Sequence, residues 1–279
     1  MTSTTFRIGG DLGVHRLGFG AMRLPTEQGA ARETSVQVAR RAVELGVTLI
    51  DTAHLYGGGA NEELLAEALH PYADGLTITT KVGVARSADS GEWGLDGRPE
   101  VLREQVEHGC RRLRVERIEL LQLHRIDPEV PLADQLGTLR ELQVEGKVGR
   151  IGLSEITVAE LGRAREIIEV ASVQNRYSLL DREHEPVLAA CEAAQIAFLP
   201  WRPVAGAASD AAARIAEVAA DLGATPVQVS LAWLLGHSPV ILPIPGTARI
   251  DHLEENLAAT RVQLTPAHRD RLDRLAELA

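Results

Sequence analysis

Eight apolar runs of strand length, each followed by a helical pattern, leave this chain few ways to fold. The runs are HRLGFGAM (15–22), VTLID (47–51), LTITTK (76–81), IELLQLH (118–124), VGRIGLS (148–154), ASVQNRY (171–177), IAFLPW (196–201) and PVILPI (239–244). They are near-continuous in apolar residues, the pattern of parallel strands covered on both faces. Between them lie TSVQVARRAVELG, NEELLAEALHPY, PEVLREQVEHGCRRL, LADQLGTLRELQVEG, TVAELGRAREIIEV and REHEPVLAACEAA. A longer helical region, Ala211 to His237, follows the seventh run and breaks at Gly223–Pro226; a last pair of helices covers 249–258 and 265–278. Such alternation predicts an α/β fold with a parallel sheet. With 279 residues and no Ser/Pro-rich linker, the expectation is a single (β/α)8 TIM barrel domain over 1–279. A β-hairpin, FRIGGDLGV from Phe6 to Val14, would close its bottom, and two extra helices end the chain. The rival, an open doubly wound sheet, requires G-x-G-x-x-G opening a helix after the first strand. Gly9, Gly10, Gly18 and Gly20 do not give that pattern.

Several classes of function fall away at this point. No run of about 18 apolar residues suggests a membrane span, and MTSTTFRIGG lacks the basic and apolar regions of a signal peptide. Cys110 and Cys191 stand far apart in helical patterns, so they read as reduced thiols and not as a disulfide or metal pair. The expected location is cytoplasmic. A net charge of −10 argues against nucleic acid as a partner. Arg111, Arg112, Arg114 and Arg117 read as a solvated helix end that compensates the dipole. No feature demands an interface, so a monomer or weak homo-oligomer is expected.

A barrel carries its site at the C-terminal ends of its strands. The second run ends in Asp51, the third in Lys81, the fourth in His124 and the fifth in Ser154, and the sixth carries Gln174 and Asn175. Tyr56 follows Asp51 by five residues in LIDTAHLYGGGANEELLAEAL, on a glycine-rich turn before a helix. Taken singly, a strand-end lysine is usually solvated, a histidine after LLQL a satisfied core residue, and an aspartate the start of a turn. Their convergence on one mouth points to chemistry. A phenol titrates near 10, too high for ready proton exchange at neutral pH, and a neighbouring ammonium lowers that value. A carboxylate paired with the lysine fixes it and keeps it charged. An imidazole can hydrogen-bond a carbonyl oxygen. Such a set protonates an oxygen while a hydride arrives at carbon, and the hydride has to come from a nicotinamide. Two other readings stand beside this one. One is a Schiff-base aldolase using Lys81, which a lysine held protonated by Asp51 disfavours. The other is a nicotinamide-binding regulatory or partner-binding subunit with little turnover, which would not need all four groups.

Over nearly its whole length the sequence resembles the aldo-keto reductase superfamily. LIDTAHLYGGGANEELLAEAL is similar to that family's D-T-A-x-x-Y-G…N-E signature, TTKVG to its lysine strand and LLQLHRID to its histidine strand. GRIGLSEI, SVQNRYSLL and PIPGTARIDHLEENL resemble its cofactor-binding segments. The resemblance implies a catalytic tetrad of Asp51, Tyr56, Lys81 and His124, with Tyr56 the acid in reduction and the base in oxidation. It implies NADPH as cofactor and no metal. Gly20, Met22 and Asp51 would lie along the cofactor, with Ser154 and Gln174 on the nicotinamide carboxamide and Trp201 stacked on its ring. Arg202, Pro203 and Val204 would run beside the pyrophosphate. Gly246, Thr247 and Arg249 would meet the 2′-phosphate at a helix N-terminus, and Glu255 and Asn256 the adenine. Gly246 and His252 stand where many members carry lysine and arginine, so Arg249 becomes the substitute charge and NADH stays open as an alternative. Glu155 stands where an asparagine is common, which puts one carboxamide contact in question. His54, Leu55, Trp93 and Arg125 would line a short-looped substrate pocket, with Trp93 either a substrate wall or a hydrophobic anchor pinning its loop to the barrel. Arg125 would meet an anionic substrate or pair with Asp127. LHRIDP, QNRYSLLDREHE and PWRPVAG are most similar to a bacterial subgroup that includes pyridoxal reductases, making an aromatic aldehyde one expected small-molecule substrate.

Overall fold

The apolar runs pair side by side into one curled, parallel wall. The computed structural model describes residues 4–86, 91–204 and 210–275. It opens with the expected hairpin of β1 (Thr5–Ile8) and β2 (Leu12–His15). Among the described residues the wall has seven strands. These are β3 (Phe19–Gly20), β4 (Leu49–Asp51), β5 (Thr77–Val82), β8 (Ile118–Leu123), β9 (Val148–Ser154), β10 (Val170–Gln174) and β11 (Ala197–Phe198), paired in that order and all parallel. Between β5 and β8 stands a small antiparallel hairpin of β6 (Val84–Arg86) and β7 (Trp93–Leu95). Helices α1 (Ala30–Glu44), α2 (Ala60–Leu69), α3 (Pro99–Leu113), α4 (Leu132–Val144), α5 (Val158–Arg165), α6 (Glu185–Ala193), α7 (Asp210–Leu222) and α8 (Pro226–His237) follow the strands in sequence. Helices α9 (Ile250–Ala258) and α10 (Pro266–Asp273) come last.

The eighth run closes the wall without forming a regular strand. Its Val240 carbonyl accepts from Phe198 N–H at 2.9 Å, and Leu242 N–H donates to the Phe198 carbonyl at 2.8 Å. On its other side the carbonyls of Pro243 and Pro245 accept from Gly18 and Gly20 N–H at 2.9 and 3.2 Å. Prolines have no N–H to return, so a full ladder cannot form there. The contact is also tight. A Cβ on Gly20 would lie 2.7 Å from the Ile244 carbonyl oxygen, and one on Gly246 would lie 2.6 Å from the Gly20 oxygen.

The β1–β2 hairpin delivers Ile8 and Val14, both buried, into a cluster with Leu49, Leu120, Leu199 and Leu242 that fills the barrel interior. A larger shell between strands and helices includes Leu121, Ile151, Val173, Phe198, Leu139 and Trp233. Thr157, Thr225 and Thr265 each form a capping box, at α5, α8 and α10. The expected break appears at Gly223, where α7 and α8 meet at 87°. Among the described residues no single helix is long and apolar enough to cross a membrane.

Several boundaries differ from expectation, among them the end of α5, which stops at Arg165 short of Val170, and the seventh run, of which only Ala197–Phe198 pairs as a strand. Only Phe19–Gly20 of the first run enters the ladder, and Ala21–Arg23 turn as a short 3-10 helix. Helix α1 starts at Ala30, ahead of Thr34. The chain after Lys81, a loop by its sequence, contains the β6–β7 hairpin. Positions 276–278 of the last expected helix lie outside the described residues.

Candidate active site

Lys81 is the most deeply buried charge in the barrel mouth, 1% exposed, and its surroundings account for every proton it carries. Its Nζ donates to Asp51 Oδ2 at 2.6 Å, to the Thr52 carbonyl at 2.8 Å and to Tyr56 Oη at 3.4 Å. An ammonium has three donors, so all are used. Burial opposes the charge, yet Asp51 and Tyr56 outweigh it and hold the lysine above its ordinary value. The second oxygen of Asp51 accepts from Gln174 Nε2 at 2.8 Å and Gln122 Nε2 at 3.2 Å. Gln122 also donates to Thr79 Oγ1 at 3.1 Å. The carboxylate is therefore fixed from two further strands, β8 and β10.

Tyr56 reaches this pair because the next three residues take backbone shapes that side chains resist. Gly57, Gly58 and Gly59 have φ of 64°, 63° and 96°. The turn brings the phenol beside Lys81 and sets its ring edge-on to His124, with centroids 6.2 Å apart. Burial raises the Tyr56 phenol above its ordinary value, and the Lys81 charge pulls the other way without prevailing. This corrects the expectation of a lowered value: the lysine moderates a rise caused by desolvation. His124 is pushed down to about 3, first by burial and then by the charges of Lys81 and Arg125, so its ring is neutral. Its Nδ1 is buried without a hydrogen-bond partner among the described residues.

The other expected residues divide into those at the mouth and those along its rim. Ser154 Oγ accepts from Arg125 Nη1 at 3.1 Å. The Gln174 amide nitrogen is occupied by Asp51. Trp201 lies half-buried, its indole N–H donating to Glu155 Oε1 at 2.5 Å, and the same oxygen accepts from Arg176 N–H at 2.7 Å. Glu155 thus braces the tryptophan. Arg202 is exposed, Pro203 buried and Val204 half-buried. Gly246 packs on Gly20, Met22 is 59% exposed, and Thr247 Oγ1 accepts from Arg249 N–H at 3.1 Å. The Arg249 side chain is exposed and pairs with Asp251. Glu255 is half-buried and Asn256 buried on α9. Trp93 on β7 meets His54 edge-on at 6.0 Å and covers Gly58, while Leu55 is half-buried beside them.

Arg112 departs from the solvated helix end expected of it. Its Nη1 lies 3.1 Å from both Glu62 Oε2 and His54 Nδ1, and its guanidinium packs under Gly59. A buried Glu62, which also accepts from Thr80 Oγ1 at 2.6 Å, draws it inward. Burial and then Arg112 push His54 down to about 4. Gln122 is a site residue that the sequence reading misses, although it stands two residues before His124 and so on the same face of its strand. Asn61, by its sequence only the start of a helix, has a further role. It accepts from Thr52 Oγ1 at 2.7 Å and donates to the Ala21 carbonyl at 2.9 Å, joining the turns after β3 and β4.

Comparison with known proteins agrees with this geometry. A profile described as the Aldo/keto reductase family matches residues 16–277. An uncharacterized oxidoreductase of Schizosaccharomyces pombe is 44% identical over 261 residues, 92% of this chain and 85% of its own. Pyridoxine 4-dehydrogenase of Escherichia coli is 38% identical over 275 residues, 95% of this chain and 96% of its own. Among solved structures, an aldo/keto reductase from Klebsiella pneumoniae in complex with NADP and acetate superposes with a TM-score of 0.86 at 27% identity, covering 98% of this chain and 95% of that one. A parallel barrel of this connectivity, a match across nearly all of it and relatives of full length lead to one assignment: the chain belongs to the aldo/keto reductase family of oxidoreductases.

Proposed function

We propose that the protein reduces an aldehyde or ketone to an alcohol with NADPH, using Tyr56 as the proton donor. The observation that carries this reading is the saturated Lys81. Its third N–H points at the Tyr56 oxygen, so the phenol's own hydrogen is left to face the mouth. The raised phenol is protonated at neutral pH, as an acid must be before it donates. As the proton leaves, negative charge grows on an oxygen that already faces an ammonium, and this stabilises the transition state. Asp51 is the positioning residue for that ammonium. His124 is neutral and, in the tautomer with its proton on Nε2, donates it to the substrate oxygen.

The residues of the rim suit a dinucleotide. Helix α9 has no side-chain cap; Asp251 accepts from His252 N–H and pairs with Arg249, and the other first-turn N–H groups are left for a phosphate, with Thr247 beside them. The bare backbone at Gly20 and Gly246 lets a ligand approach closely, Trp201 offers a ring for the nicotinamide, and Ser154 a hydroxyl for its carboxamide. Arg202, Pro203, Val204, Glu255 and Asn256 would continue the cofactor track. When bound, NADPH supplies the hydride. The likeness to a pyridoxine 4-dehydrogenase supports an aromatic aldehyde such as pyridoxal as substrate, facing His54, Leu55 and Trp93. A carbonyl panel including pyridoxal, followed by NADPH consumption, tests the proposal. Turnover of aldehydes with consumption of NADPH supports it. Tight NADPH binding with no turnover across the panel would favour the regulatory-subunit reading instead.

A further inference from the structure

Arg125 extends from the residue after His124 across to the end of β9, on the rim of the proposed reaction site. Its Nη1 donates to the His124 carbonyl at 2.5 Å and to Ser154 Oγ at 3.1 Å. Nε and Nη2 have no partner among the described residues, although the side chain is half-buried. Arg32, Arg112, Arg150 and Arg182, also largely covered, each pair with a carboxylate, while buried Arg16 donates to the carbonyls of Ser238 and Ile241. Asp127, two residues on, and Glu155, next to Ser154, are both hydrogen-bonded elsewhere. Asp127 accepts from Gly97 N–H at 2.8 Å and Glu129 N–H at 2.9 Å. Glu155 is turned to Trp201 and Arg176. The guanidinium thus keeps a forked pair of donors free beside the site; burial lowers its pKa, and the charge of Glu155 opposes that without prevailing.

We propose that Arg125 binds an anionic group, carboxylate or phosphate, carried by the carbonyl substrate at a position away from the reacting carbon. A planar fork matches either group bidentately. In a chain of net charge −10, Asp51 offsets the buried Lys81, so the attraction of the mouth for an acidic substrate rests on Arg125. The inference rests on the carbonyl-reductase reading above.

The test uses the full chain with NADPH and three aldehydes: 4-carboxybenzaldehyde, 4-formylphenyl phosphate and the neutral methyl 4-formylbenzoate. The protein should favour at least one acidic aldehyde over the ester in kcat/KM by about tenfold or more, the yield of a charge-assisted hydrogen bond. Arg125→Met should collapse that ratio towards one, mainly through KM for the acid, and Arg125→Lys should retain part of it. Added salt should shrink the wild-type ratio, a readout that does not depend on either variant folding. Preference for only one of the two acids supports the inference and narrows the anion to that class. An equal ratio in the protein and in Arg125→Met, or reduction of all three aldehydes without preference, overturns this inference and leaves the reductase reading standing. No turnover on these or on the wider panel overturns both.

Discussion

A lysine sealed from solvent and an aspartate bound on both oxygens form the rigid part of this site. A buried ion pair holds only when its remaining hydrogen-bonding positions are filled, and here Thr52, Tyr56, Gln122 and Gln174 fill them. Gln122→Leu removes one donor to Asp51 at nearly constant shape. It should lower stability by about 1–3 kcal/mol, read from denaturant unfolding, and reduce kcat as Lys81 loses its fixed position. The phenol makes a second prediction. Because Tyr56 stays protonated through neutral pH, kcat for reduction should remain level there and decline only above the ordinary phenol value of 10.0. The reverse oxidation needs the phenolate and should rise over the same range. A reduction rate that already falls between about pH 7 and 8, well below any phenol at or above its ordinary value, would contradict the raised phenol.

The turn between β4 and α2 converts a strand end into a site. Gly59 sits at φ 96° directly over Arg112, and a Cβ there would lie 2.3 Å from the guanidinium carbon. Gly10 also has a positive φ, 82°, and a Cβ there would meet nothing within 4 Å. Gly59→Ala should therefore cost at least about 1 kcal/mol more stability than Gly10→Ala, since both share the backbone strain and only one displaces Arg112 from buried Glu62. Equal costs in thermal unfolding would show that Arg112 moves aside freely. This element also marks how far the sequence could be read. Strand ends were legible because parallel strands are apolar until they stop, so Asp51, Lys81 and His124 stood out. The glycine run announced a turn. What that turn packs against was hidden, because Arg112 lies on α3, 53 positions beyond Gly59 and inside a charge run that resembles any solvated helix end. Gln122 was masked in the same way, a polar residue inside the apolar stretch LLQL. The truncated first strand and the irregular eighth follow from close packing at Gly18 and Gly20 against Pro243 and Pro245, prolines that accept from the glycines but have no N–H to return.

At the scale of the molecule, the barrel is sewn shut at two heights. Near the mouth the Gly20–Gly246 contact does it. Lower down, buried Arg16 donates through Nη2 to the carbonyls of Ser238 at 2.5 Å and Ile241 at 3.0 Å, and burial pulls its pKa down to about 10. Arg16→Met should cost about 1.5–3 kcal/mol for these charge-assisted bonds, with the loss visible in thermal unfolding. The whole fold is also sensitive to acid. The unfolded chain protonates its imidazoles near 6.5, whereas the folded one resists until about 4 at His54 and about 3 at His124. Across that window the unfolded state binds more protons, so stability falls as pH falls from 6.5. His54→Gln should flatten the dependence of unfolding free energy on pH between 6.5 and 4. An unchanged slope would mean that His54 protonates freely in the folded protein.

In the proposed reaction Tyr56 delivers the proton while the rest of the barrel holds it in place. Tyr56→Phe removes one oxygen and leaves the Lys81–Asp51 pair intact. The direct measurement is single-turnover reduction of pyridoxal by Tyr56→Phe alongside NADPH affinity from fluorescence titration. The predicted result is a rate lower by about 10²–10⁴-fold with NADPH affinity unchanged. A rate equal to that of the parent protein would contradict the assignment.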